Sequence, residues 1–236
     1  DLEQGRIVDD EELKNQYATA PSSRRLNRAF HATPPMIFPA SSPLLAIDTA
    51  GSACSVALWA ERGILAHEIA ATLHGHAVAL APMIERIAAG AGISLKSVSA
   101  VAVSCGPGGF TGMRVGLATA RALALSIGCP AIGIDSFAVL AAAARRSTGP
   151  LEHGLLAVLD SRREELFAAT LNASFTPADA PMLLTAAEVA ALCRQRRLRL
   201  VAEAELTDFA DPQFADLDVA HARADAAAVA ELAALR

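Results

Sequence analysis

An α/β chain of two related lobes, the second shortened, is what the sequence predicts, on three observations. From Leu44 onward, short apolar runs bounded by turn residues alternate with longer segments of helical period. Through residue 145 these segments follow the order βββαβαβα. The opening Leu44-Leu45-Ala46-Ile47-Asp48 then recurs as Leu155-Leu156-Ala157-Val158-Leu159-Asp160, in both cases an apolar run closed by a carboxylate.

The elements follow one by one. "LLAID" reads as a buried strand, "TAGS" as a turn, "CSVALW" as a second strand, and "ILAHEIAA" as a third after the turn "ERG". Connections this short make the three strands antiparallel neighbours. Leu80, Met83, Ile84 and Ile87 recur at i, i+3, i+4 and i+7, one face of a helix, with Pro82 inside it as a bend or first-turn marker. A strand over 100–105, a glycine-rich turn, a helix over 112–127, a strand over 130–135 and a helix over 136–145 complete the first lobe. Beyond Pro150, "GLLAVLD" and "ELFAATL" begin the second.

Residues 1–43 read differently. An acidic start is followed by a stretch in which Pro21, Pro34, Pro35, Pro39 and Pro43 oppose regular structure, as in a disordered extension or linker. The expected organisation is therefore 1–43 extension, 44–148 N-terminal lobe and 149–236 C-terminal lobe, whose completeness the short tail leaves open.

With 53% hydrophobic residues the chain can bury a sizeable core, and every long apolar run is broken by a charge or turn residue, so no membrane span is expected. The net charge of −5, from 20 Lys and Arg against 25 Asp and Glu, argues against unaided nucleic-acid binding. The basic cluster Arg194, Arg196, Arg197 and Arg199 reads as a solvated helix end. Cys54, Cys105, Cys129 and Cys193 form no C-x-x-C pair and fit a reducing compartment, three of them as small core residues.

The chemistry turns on Gly106-Pro107-Gly108-Gly109-Phe110-Thr111 and the helix after it. The loop could present backbone N–H groups to an anion, but no lysine follows as in a Walker loop; the nearest cation is Arg114, and Thr111 stands where a dinucleotide fingerprint needs glycine. Gly112, Gly116, Ala120 and Ala124, spaced by four, form a small-residue stripe that lets another backbone approach closely, either the chain's own sheet or a partner helix. Asp48 and Asp160 end strands, where carboxylates serve catalysis or cap the next turn. Ser104 has no evident base, and His74 and His76 lack a third ligand, so no metal site is expected.

"LLAIDTAGSACSVALW", "GPGGFTGMRVGLATARALAL" and "VLDSRREELFAATL" closely resemble the TsaB (YeaZ) family, subunits of the bacterial machinery that places threonylcarbamoyl on the adenosine beside the tRNA anticodon. The likeness runs from about Leu44 to Leu171, and the motif Gly106–Gly116 is its most specific part. The chain departs from the family in its 43-residue prefix, in a tail without the family's closing strand, and in Gly109, where serine is commoner.

The resemblance implies the duplicated actin/sugar-kinase/Hsp70-like (ASKHA, ribonuclease H-like) fold and a non-catalytic scaffold that pairs with the catalytic subunit TsaD. It also implies a TsaE-like ATPase as a further partner, tRNA contacted mainly through the complex, and a cytoplasmic setting. No cofactor is then expected in this subunit, with ATP and metal in its partners. TsaD carries an H-x-x-x-H metal motif; here His76 is followed four residues later by Leu80. The family's pairing helices correspond to His76–Ala89 and Thr111–Leu125. The implied interface thus draws on His76, Leu80, Met83, Ile84, Ile87, Gly112, Met113, Gly116, Leu117, Ala120 and Ala124. Of these, Met83, Ile87, Met113 and Leu117 are expected on the surface. A homodimer is open to the isolated chain. The competing reading is an ATP-dependent phosphotransferase or nucleotide-binding protein of the same superfold, with Asp48, Thr49 and Ser52 near phosphate. Peptidase activity survives only in older names for the family.

Overall fold

The computed structural model describes residues 43–61, 63–70, 76–150, 154–206, 209 and 214–236. The expected extension, up to residue 42, lies outside them, as do His74 and the side chain of His76.

The first sheet is built from β1 (Leu44–Asp48), β2 (Cys54–Ala60), β3 (Gly63–Ala70), β4 (Ala100–Ser104) and β5 (Ala131–Ile134) in the order β3-β2-β1-β4-β5. β1–β2 and β2–β3 are antiparallel, while β4 and β5 run parallel to β1. Every residue of β1 and β4 is buried, which is why both read as unbroken apolar runs rather than as alternation. Between the strands lie α1 (His76–Gly90), α2 (Phe110–Ile127) and, after β5, α3 (Ser136–Thr148). α2 ends at Gly128, whose left-handed φ of 81° suits glycine.

The second sheet holds β6 (Leu155–Leu159), β7 (Leu166–Leu171), β8 (Met182–Leu184), β9 (Arg199–Glu203) and β10 (Val219–Ala222) in the order β10-β9-β6-β7-β8. Read from β8, this is the order and direction pattern of the first sheet, so the repeated opening at Leu44 and Leu155 marks a structural duplication. α4 (Ala186–Arg196) enters through a capping box between Thr185 and Glu188, and α5 (Ala226–Ala233) closes the chain. The shortening lies between β9 and β10: among the described residues no helix occupies the place that α2 holds in the first lobe.

Three cores result. α1 and α2 cover one face of the first sheet, burying Leu80, Met83, Ile84 and Ile87 with Leu45, Ile47, Val56, Leu58, Val101 and Val103. α4 covers the outer face of the second sheet. The third core joins the lobes. α3, from the first lobe, packs on β6, β9 and β10, whereas α5, from the second, packs on β1, β2 and β4, and the two helices touch. Alanine dominates both, so two sheets and two helices approach closely around Phe137, Leu140, Leu44 and Leu155. Arg146 pairs with the α5 cap Asp225 at 2.6 Å, Arg145 pairs with Glu231, and Ala226 N donates to Ser55 Oγ at 2.8 Å.

This arrangement corrects the expected surface set. Met83 and Ile87 are buried, because the face of the sheet carrying Leu45, Val56 and Val101 has only α1 and α2 to cover it. Met113 is half-buried and its sulfur lies against Gly106, while Leu117, 38% exposed, is the member of the set that does reach solvent. Gly116, Ala120 and Ala124 are buried, so the small stripe packs on the chain's own sheet. Pro82 sits within α1, on its exposed side, and the helix continues through it.

A core shared by both lobes makes a sharp prediction. Ala230→Leu, at a fully buried α5 position, adds bulk that neither sheet can yield and should cost about 1–3 kcal/mol. Calorimetry should show one transition lowered by several degrees, at about 2–4 °C per kcal/mol for a chain of this size. An unchanged melting temperature, or separate transitions for the two lobes, would contradict the shared core.

Candidate functional site

The glycine motif and the carboxylate-terminated strands meet where the lobes face each other. β1 delivers Asp48, 1% exposed, whose Oδ1 accepts from Ala50 N at 3.2 Å and from the Ser104 hydroxyl at the end of β4. The parallel pairing of β1 with β4 brings these two strand ends together. The carboxylate therefore caps its own turn, the structural alternative weighed for it. Ser104 is equally buried, out of reach of any substrate, which removes it as a nucleophile.

The motif folds against that turn. Gly109 N donates to Ala50 O at 2.7 Å, and a Cβ on Gly108 would stand 2.6 Å from the same oxygen. Gly106, at φ 104°, exchanges hydrogen bonds with Ser136, donating to its Oγ at 3.1 Å and accepting from its N at 2.9 Å. Thr49 Oγ1 donates to Gly112 O at 2.7 Å, and a Cβ on Gly116 would overlap that hydroxyl. Gly112 and Gly116 thus form a socket for Thr49. Phe110 is 65% exposed, and the Arg114 guanidinium stacks 3.6 Å above its ring.

From the second lobe come Asp160, Arg162 and Glu203. Asp160 directly follows β6 and Glu203 ends β9, at the same end of the second sheet as Asp48 and Ser104 hold in the first but one residue out of register, and Asp160 N donates to Glu203 Oε2 at 3.1 Å. Asp160 also accepts from Arg162 N at 2.6 Å and pairs with its guanidinium at 3.2 Å. Glu203, 4% exposed, reaches across to the first lobe, where a Cβ on Gly51 would stand 2.9 Å from its Oε1. Burial pushes the Glu203 carboxyl above the ordinary range, reinforced by Glu205 and Asp160 and opposed by the Asp160 N–H and Arg162. Asp135, capping α3 through Phe137 N and Ala138 N, is also raised by burial despite those two bonds. Glu205 goes the other way: burial would raise it, but Ser52 and Arg223 hold it below its ordinary value.

The cleft lined by Asp48, Gly51, Pro107, Gly108, Asp160 and Glu203 leaves only about 10 Å³ for the centre of a water molecule. That is room for about one water and none for a nucleotide. Of the residues considered for phosphate, Asp48 faces Ala50 and Ser104 and Thr49 faces Gly112, while the Ser52 hydroxyl is buried without a well-aligned hydrogen-bond partner among the described residues. Among the described residues no group of three or more His, Cys, Asp or Glu side chains is arranged to hold a metal ion. Burial pushes the Cys54 and Cys193 thiols up to about 11, which makes them inert core residues. The basic cluster is largely neutralised at the surface: Arg194 pairs with Asp216, Arg196 with Asp179 and Arg199 with Asp218. Among the described residues no helix is long and apolar enough to cross a membrane.

Sequence reasoning missed Gly51 and Glu203. Gly51 stood within the turn "TAGS", whereas Glu203 ends β9, a strand that lies outside the elements read from the sequence.

Two predictions test this reading of the loop and the cleft. Gly108→Ala should destabilise by about 1–3 kcal/mol because its methyl meets the Ala50 backbone. Gly109→Ser should be neutral or stabilising by a few tenths of a kcal/mol. Its Cβ would make an ordinary 3.4 Å contact, and a serine there caps α2, which has no side-chain cap. Thermal melts of the two variants decide, and equal effects would show that the loop does not pack as described. For Glu203 the native pKa lies above the unfolded value near 4.5, so its contribution to stability is complete below that value. It is lost as pH rises through the higher native value. Glu203→Gln should therefore flatten the decline of the melting temperature across that window; a parallel decline in both proteins would exclude Glu203 as its source.

A family model for TsaD, tRNA N6-adenosine threonylcarbamoyltransferase, matches residues 63–229. The tRNA threonylcarbamoyladenosine biosynthesis protein TsaB of Escherichia coli K12 is 39% identical over 124 residues, 52% of this chain and 52% of that protein. Its Haemophilus influenzae counterpart is 38% identical over 124 residues, 52% of this chain and 51% of that protein. The chain thus spans about half the length of the curated relatives it matches. Among solved structures, YeaZ from Pseudomonas aeruginosa superposes with a TM-score of 0.68 at 25% identity, covering 81% of this chain and 90% of that one. With the TsaD model spanning well over half of its residues and TsaB and YeaZ proteins as its relatives, the chain belongs to the TsaD family of tRNA threonylcarbamoyladenosine proteins, in its TsaB (YeaZ) group.

Proposed function

We propose that this chain is a non-catalytic scaffold subunit of the cytoplasmic assembly that transfers threonylcarbamoyl to the adenosine next to the tRNA anticodon. Its principal partner is a TsaD-type catalytic subunit, with a TsaE-like ATPase as a further member; tRNA is held mainly by the complex. ATP and metal belong to the partner subunits, and this chain carries no cofactor of its own.

The observation that carries the proposal is the filled interlobe cleft. In this superfold the space between the lobes is where a phosphotransferase would hold its nucleotide. Here about 10 Å³ remains, and the backbone of the turn after β1 is engaged by the glycine loop. The cleft walls add Asp48, Asp160 and Glu203 against Arg162, whose guanidinium is already engaged by Asp160 at 3.2 Å. The same closure argues against the phosphotransferase reading and, with Ser104 buried on Asp48, against a peptidase.

The purified chain should transfer no threonylcarbamoyl to tRNA by itself and should support transfer when the TsaD-type and remaining subunits are added, read by mass spectrometry of digested tRNA. Calorimetric titration of the isolated chain with ATP should give no saturable heat. Transfer by the chain alone after removal of trace TsaD would refute the scaffold reading. Saturable ATP binding abolished by Asp48→Asn would favour the phosphotransferase.

A further inference from the structure

The seam between the lobes is packed at its centre but open at one side. Between the last turns of α3 and the end of β10 lies a groove of about 440 Å³. Its basic side chains are Arg146, His221 and Arg223, and Ala143, Ala204 and Ala222 give it a floor of small side chains. Arg146 donates through Nη2 to Asp225 Oδ1 at 2.6 Å, and Arg223 donates through Nε and Nη2 to Glu205 Oε1 at 2.8 and 2.7 Å. A guanidinium carries five N–H groups, so both arginines keep donors beyond these bonds. Their side chains are 36% and 46% exposed, and His221 is exposed beside them. Of the two acids, Asp225 caps α5, accepting from Ala228 N at 2.9 Å, where the positive end of the helix offsets its charge. The groove is thus locally basic on a chain of net charge −5.

We infer that this groove receives a backbone phosphate of the tRNA, with Arg146, His221 and Arg223 as its donors. The inference rests on the assembly proposed above and adds to it a contact that this chain makes itself. The lining selects the ligand. Apart from alanine methyl groups nothing apolar faces the groove, so the aromatic or aliphatic anchor of a protein partner finds no pocket there. A phosphodiester uses what is present, N–H donors in the fixed fork of arginine and a local positive charge. Asp225 and Glu205 hold the two guanidinium groups in place before contact, and ion pairs this exposed are weak enough for a phosphate to share their arginines. One such contact does not retain a free nucleotide or bind RNA unaided. It acts once the other subunits have brought the tRNA to this face, and it reads no sequence.

The test uses the full chain in the reconstituted assembly, with tRNA affinity measured by fluorescence anisotropy from about 50 to 300 mM salt, a range over which phosphate contacts weaken steeply. His221→Gln with Arg223→Gln should weaken binding about threefold to tenfold at low salt and lower the slope of log affinity against log salt by about one. The loss should be equal for tRNAs of different sequence, with the melting temperature of the chain and its pairing with the TsaD-type subunit unchanged. Glu205→Gln removes the carboxylate that shares Arg223 and should shift the affinity the other way; it decides if the double variant melts early. Failure of the unchanged assembly to bind tRNA sinks the proposed function and this inference together. Binding of tRNA that neither variant alters overturns the inference alone. So does loss of TsaD pairing in the double variant, which would make the groove a protein contact. Saturable binding of inorganic phosphate to the isolated chain, lost in the double variant, would make it a small-anion site and overturn the RNA assignment.

Discussion

Every other feature of the molecule depends on the exchange of α3 and α5 between the two sheets. Each helix leaves its own lobe to cover the other's sheet, so the faces carrying Leu44, Ala46 and Ala57 on one side and Leu155, Ala157 and Val201 on the other close on a single core. Alanine supplies most of the buried positions of both helices, joined by Phe137, Val139 and Leu140 in α3 and Val229 in α5. Small side chains bring the sheets near, and close-packed interiors resist separation because opening them exposes apolar area at about 25 cal/mol per Å². Hinge opening of the kind that admits a nucleotide would have to break this core. The filled cleft is a consequence of the packing beneath it.

The duplication shows what has become of the chemistry at the strand ends. Asp48 and Ser104 in one lobe, and Asp160 and Glu203 in the other, stand at corresponding sheet ends, yet each pair is satisfied within the protein. Asp48 organises the turn after β1, Asp160 organises the turn that includes Arg162, and Glu203 spans the gap to Gly51. The raised proton affinity of Glu203 reflects burial, a cost the native state bears at neutral pH rather than a tuned acid facing substrate. Of these four side chains Glu203 is the one that reaches the other lobe, while Asp48 and Asp160 hold the turns of their own.

Much of this was legible in the sequence because the determinants are local. The alternation of apolar runs with turns located the strands of the first sheet and the first two of the second, though not β8, β9 or β10, and the repeated "LLAID" and "LLAVLD" pointed to the duplication. Asp48 as a turn cap followed from the residues after it. What failed was the assignment of faces. Leu80, Met83, Ile84 and Ile87 show a helical period, but a period says only that one side is apolar, not whether a sheet or a partner covers it. The sheet face carrying Leu45, Val56 and Val101 consumed both α1 and the small stripe of α2. The crossing of α5 onto the first sheet was equally hidden, since nothing in "AAAVAELA" identifies which of two distant sheets it will cover. The contact of Glu203 with the turn at Gly51 is non-local for the same reason.

The glycine motif is therefore a positioning device with two sides. Inward, the Gly112 carbonyl accepts from Thr49, while Gly116 against Thr49 and Gly108 against Ala50 leave no space even for a methyl group. These contacts fix the height of the start of α2 over the sheet. Outward, the same helix carries Phe110, Arg114, Leu117, Arg121 and Leu125 into solvent. A rigid helix passes any displacement of its inner stripe directly to its outer one, so the fit of Thr49 in its socket sets where the guanidinium groups stand. A loop packed in this way tolerates little change whatever it contacts outside: what it determines is the placement of the exposed side of the helix.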